Sequence, residues 1–216
     1  MQDATLLEAA NRLSLKLAVQ RPRVDIVLWV NLYRGIGQVF PDQPVLRGSK
    51  LILNGEMREK LSREEWEPLV ASSIIYDARF RRRRAAVTLA WLVPSLFALA
   101  MGVYVLGSIV GNFTPAQFAD NPGRYRLLAD ITMLLIVGVF LVPLLVAAPF
   151  MKGLRFRADQ QVCQELGMET ILLQALEKVL AWGVVVKPTF GARVAQRPMI
   201  SERIHHLKPG NKEKSS

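Results

Sequence analysis

The sequence predicts a mainly α-helical protein with a small β region, its cytoplasmic part interrupted by a two-helix transmembrane hairpin. Three observations predict this class. Residues 85–110 and 131–150 carry no charged side chain, and each run is long enough for a hydrocarbon core that takes ~20 apolar residues to cross. A net charge of +10 accompanies 51% hydrophobic residues and a mean hydropathy of +0.22, which is high for a water-soluble domain. Outside the two runs, apolar residues recur at helical spacing around two short stretches rich in β-branched residues.

The elements follow in order. Leu6, Ala10, Leu13 and Leu17 share one helical face, while Asp3, Glu8, Arg12 and Lys16 break any continuous apolar run. The first segment therefore reads as an amphipathic helix and not as a signal sequence. In PRVDIVLWVN the β-branched and aromatic residues predict a strand, and GSKLILNGEM predicts a second that ends at an Asn-Gly turn. One helix is then expected over 61–84. Ser62 and Glu65 have capping-box spacing, Trp66, Leu69, Val70, Ser73 or Ile74, and Phe80 follow the helical period, and Pro68 is placed to kink the second turn. This helix carries Ser72, Ser73 and Tyr76 at its centre and ends on Arg81, Arg82, Arg83 and Arg84.

The hairpin occupies 85–150, with spans of about 85–110 and 129–150. Pro94, Pro143 and Pro149 are compatible with it, because neighbouring helices can satisfy the carbonyls that a proline frees. Three helices are expected over 151–207: one through LRFRADQQVCQELG with Gly167 as its stop, one through METILLQALEKVLAWG, and a short one through ISERIHHL. Residues 208–216 read as a flexible basic tail. Neither 1–84 nor 151–207 could bury much core alone, so the two halves are expected to form one domain.

Arg79, Arg81, Arg82, Arg83 and Arg84 precede the first span and Lys152, Arg155 and Arg157 follow the second, against only Arg124 and Arg126 between them. That bias predicts a multi-pass protein of a bacterial inner (plasma) membrane with both termini cytoplasmic. Arg81, Arg82, Arg83, Arg84 and Lys152 also suit anionic lipid headgroups. Basic residues gathered at membrane boundaries, and not along a recognition face, argue against nucleic acid as a partner. Cys163 is the lone cysteine, so no internal disulfide is expected and the reading is a small residue of a reducing compartment.

Several local patterns occur in a telling order: PRVDIVLWVNLYRGIG, KLILNGEMREKLSREEWEPLVA, the hairpin, RADQQVCQELG, ALEKV and RPMISERIHHL. From about Leu6 to Leu207 this series resembles the integral-membrane zinc metallopeptidases of the HtpX and CAAX prenyl protease kind. The resemblance implies a gluzincin-like metallopeptidase fold interrupted by the hairpin. It also implies where a zinc site would lie, and there the chain departs from the family. The HExxH motif falls on Ser72, Ser73, Ile74, Ile75 and Tyr76, the glutamate that supplies the third ligand falls on Arg155, and the histidine of an HP pair falls on Arg197. Only the supporting aspartate is kept, as Asp159.

Zinc sites of this kind need three converging N or O donors and an open place for a water that a carboxylate can deprotonate. Neutral hydroxyls at Ser72 and Tyr76 are poor ligands, and a guanidinium at Arg155 repels a cation. The expectation is no bound metal, no cofactor and no catalytic residue, with Asp159 ion-paired to its neighbours Arg155 and Arg157. The function expected is a non-catalytic pseudopeptidase acting as a structural or accessory subunit of a larger membrane protein complex. The alternative is a membrane-bound peptidase with unconventional catalytic groups. A nucleophile at Ser72 or Ser73 would need a base, and the only histidines are His205 and His206. A metal site drawn from His205, His206, Asp159 and Cys163 is disfavoured, because adjacent helical side chains point about 100° apart.

Overall fold

The structure is a computed structural model that describes residues 2–19, 23–33, 37–112, 122–183 and 198–208. It is mainly helical with a small three-stranded sheet. Helix α1 spans Gln2–Lys16 and buries the expected face: Leu6, Ala10, Leu13 and Leu17 are all shielded from solvent. Its Asn11 amide latches the approach to the sheet, donating to the Val24 carbonyl at 2.9 Å while the Val24 N–H returns a bond of 2.8 Å.

Strands β1 (Ile26–Trp29) and β5 (Lys50–Leu53) pair in parallel, and β4 (Val45–Arg47) pairs antiparallel with β5, giving the order β1-β5-β4. Strands β2 (Leu32–Tyr33) and β3 (Gly37–Gln38) form a separate antiparallel ladder. The two expected strands correspond to β1 and β5. The third, β4, is only three residues long, and its reversal into β5 turns on Gly48, whose φ of +59° suits a residue without Cβ. Strand β5 ends at the Asn-Gly pair, as expected. With β5 already flanked on both sides, the chain leaves the sheet: Asn54 Oδ1 accepts from the Glu56 N–H at 2.9 Å and caps a single 3₁₀ turn, Gly55–Met57.

Helix α2 (Arg63–Ala78) begins at the expected capping box. The Glu65 N–H donates to Ser62 Oγ at 3.3 Å and the Ser62 N–H donates to Glu65 Oε2 at 2.6 Å. It is shorter than the single helix expected over 61–84. The chain turns at Arg79 and Phe80 before α3 (Arg81–Asn112) starts. The cause lies in those two side chains: Phe80 is buried, and the Arg79 guanidinium is engaged by Glu165 and by the Leu17 carbonyl at 3.0 Å. Helix α4 spans Pro122–Leu166 and ends at Gly167, whose φ is +66°. Helices α5 (Glu169–Ala181) and α6 (Ile200–Leu207) follow.

Contacts divide the chain into two compact units, one formed by residues up to Arg82 and from Met151 onward, the other by Arg83–Phe150. The first unit holds the main core. Trp66 meets Trp29 edge to face with centroids 5.6 Å apart, and Leu69, Ile74, Leu154, Ala158, Leu172 and Leu176 are all buried in one cluster. The second unit exposes Leu92, Val93, Leu96, Phe97 and Val103. Among the described residues one segment, Arg81–Val105, is long and apolar enough to cross a membrane, by length and composition, and almost none of it is buried. The second expected span, 129–150, falls within α4, and among the described residues no second such segment stands out. Multi-pass topology therefore rests on the sequence alone. Part of the stretch between the expected spans lies outside the described residues.

Candidate functional site

Helical spacing places Ser72, Ser73 and Tyr76 on the face of α2 that meets Arg155 and Asp159 in the last part of α4. Ser72, Ser73, Asp159 and Arg203 are fully buried, and Arg155 and Asp42 are 4% exposed. So many polar groups persist in an apolar interior only when they satisfy one another.

Arg203 is the hub. Its Nε and Nη2 donate to Asp159 Oδ2 and Oδ1, both at 2.8 Å, a side-on bidentate pair. Its Nη1 donates to Asp42 Oδ2 at 2.7 Å and to the Asp42 carbonyl at 2.9 Å. Burial alone would lower the pKa of this guanidinium, but the two carboxylates outweigh that penalty and hold it above the usual arginine value. Ser72 completes the group by donating its hydroxyl to Asp159 Oδ1 at 2.5 Å.

Arg155 is held differently. Its Nη2 donates to Ser73 Oγ at 3.1 Å, and its guanidinium carbon lies 4.8 Å from the centroid of the Tyr76 ring. The nearby carboxylates are paired with Arg203 instead. Burial, together with repulsion from Arg203, pulls the Arg155 pKa down, and Asp159, Tyr76 and Asp42 oppose that shift only in part.

The five positions singled out in the sequence, Ser72, Ser73, Tyr76, Arg155 and Asp159, thus meet in one cluster. The expected ion pair of Asp159 with Arg155 and Arg157 is corrected: its partner is Arg203. Arg157 is exposed, because residues two apart on a helix face nearly opposite ways, and Arg155 turns to Ser73. Sequence reasoning missed Arg203 and Asp42. A signal for the first existed, since Ile200, Arg203, Ile204 and Leu207 have the spacing of one apolar helical face with a cation set in it; nothing marked Asp42. Arg197 lies outside the described residues.

Arg81, Arg82 and Arg83 are exposed and Arg84 is half-buried, while Lys152 pairs with Glu202 at 3.2 Å. His205 and His206 are exposed, and His206 stacks on Phe156 with centroids 3.9 Å apart. The structure does not gather these histidines with Asp159 and Cys163. Among the described residues no group of three His, Cys, Asp or Glu side chains converges as a metal site would require. The donor set of this cluster does not fit a divalent cation: both oxygens of Asp159 are committed to the Arg203 guanidinium, and a second guanidinium, that of Arg155, stands one turn away. What the arrangement offers is fixed charge and hydroxyl donors.

Comparison with family models, with curated proteins and with solved structures gave no match to this chain.

Proposed function

We propose that the chain is a non-catalytic, HtpX-like pseudopeptidase with a gluzincin-like fold. In this reading it is anchored in a bacterial inner membrane by two spans and serves as an accessory subunit of a larger membrane protein complex. One observation carries the reading. The residues that align with the family's HExxH, with its third-ligand glutamate and with its supporting aspartate meet in one buried cluster, although they lie 82 and 87 residues apart in sequence. A cluster assembled from positions so distant, with ionic bonds in place of donors for a metal, supports a scaffold kept after its chemistry was lost. Without a reaction, the remaining assets are a cytoplasmic surface and a lipid-facing apolar helix, both suited to docking.

The test is gentle detergent extraction at native expression level, followed by native mass measurement, with zinc quantified in the same preparation. Companion chains and no stoichiometric zinc are expected. A lone 24.2 kDa chain would remove the accessory-subunit reading, and about one zinc per chain, lost on Asp159→Ala, would return weight to a peptidase.

A further inference from the structure

The two buried arginines differ in how one edge of the guanidinium is used. On Arg203, Nε and Nη2 together grip both oxygens of Asp159. On Arg155 the corresponding edge is half filled: Nη2 donates to the Ser73 hydroxyl, and Nε is buried with no acceptor. A buried N–H of a cation without an acceptor forfeits more than an ordinary lost hydrogen bond. No carboxylate of the described residues lies within ion-pair distance of Arg155, since Asp42 and Asp159 are paired with Arg203. Ser73 accepts from Arg155, which leaves its own proton to donate. The Tyr76 ring over the guanidinium is half-buried.

We propose that Arg155, Ser73 and Tyr76 form a carboxylate-binding site, in which a planar carboxylate takes the Nε edge of Arg155 as Asp159 takes that of Arg203. Two oxygens set side by side match the fork, and the Ser73 hydroxyl supplies a further donor. The carboxylate comes from a small organic acid or from the C-terminus of a bound polypeptide. The inference rests on the geometry of Arg155 alone and stands whether or not the chain descends from peptidases.

The experiment uses the full chain in detergent at constant ionic strength. Unfolding temperature is followed against sodium acetate with sodium chloride as the control, then against one short peptide with a free and with an amidated C-terminus. A saturable rise with acetate that chloride does not reproduce is expected. A rise that demands the free peptide terminus at lower concentration assigns the polypeptide source, and a response to acetate with none to either peptide assigns the small acid.

Arg155→Lys, which keeps the charge and loses the fork, should weaken binding by about tenfold. Ser73→Asp should place a carboxylate on the edge from within and abolish the response while the chain stays folded. No acetate effect in the native chain, or an undiminished effect in Ser73→Asp, overturns the proposal. Either result leaves the complex and zinc measurements untouched, so the two readings fail separately.

Discussion

Arg203 shows how much one side chain can be asked to hold. It satisfies two carboxylates and a carbonyl in a fully buried place, so its removal takes from Asp42 and Asp159 the cation that pairs them. Breaking a buried ion pair by deleting one partner typically costs about 3–5 kcal/mol, whereas replacing the whole group by apolar residues is often neutral. Arg203→Ala is therefore expected to destabilise the chain by about 3–5 kcal/mol, read as a lowered midpoint in urea. Simultaneous Asp159→Leu and Asp42→Leu should restore part of that loss. A single Arg203→Ala loss below about 1 kcal/mol would contradict the burial of the charges.

At the scale of elements, the start of α2 offers a pH-dependent test. Burial would raise the Glu65 pKa, but the Ser62 N–H and the Lys178 ammonium, 3.0 Å from Glu65 Oε1, outweigh it and hold the carboxyl below its ordinary 4.5. A folded-state pKa below the unfolded one gives stability that is present above pH 4.5 and lost as pH falls through the folded value. The gap in unfolding temperature between the native chain and Glu65→Gln should be widest above pH 4.5 and close below it. A constant gap would mean that the charge plays no part.

The segments expected from the sequence to span a membrane carry a second test. With single cysteines at Gln117 and at Ser215 in a Cys163→Ser background, an impermeant thiol reagent on intact cells should label Gln117 only. Labelling of Ser215 alone would reverse the orientation drawn from the arginines.

These elements also explain what was legible. Long periodic patterns read well: the buried face of α1, the capping box of α2 and the stop at Gly167 each depend on a few neighbouring residues. The break at Arg79 and Phe80 depends on Glu165 and Leu17, partners that no local pattern names. The site divides in the same way. Ser72, Ser73, Tyr76, Arg155 and Asp159 were found through the family resemblance, whereas Asp42 sits outside the helices and strands and meets Arg203 across 161 positions. A polar residue whose importance comes only from a distant partner leaves no period in the sequence.

For the whole molecule, that same long-range pairing sets an order in time. The chain leaves the ribosome from its N-terminus, so Asp42 and Ser72 are present long before Arg203 is made. Until α6 arrives, the carboxylates of Asp42 and Asp159 lack the guanidinium that satisfies them, and α5 lacks a neighbour. Truncation before Ile200 should therefore give a chain that is degraded faster than the native one in a pulse-chase experiment, even with every other helix intact; equal half-lives would refute this. The consequence reaches the cell's quality control. A nascent chain that stalls before Ile200 presents an unfinished domain to proteases, while one that has gained α6 can close around Arg203, so the arrival of α6 acts as a checkpoint on the folding of everything before it.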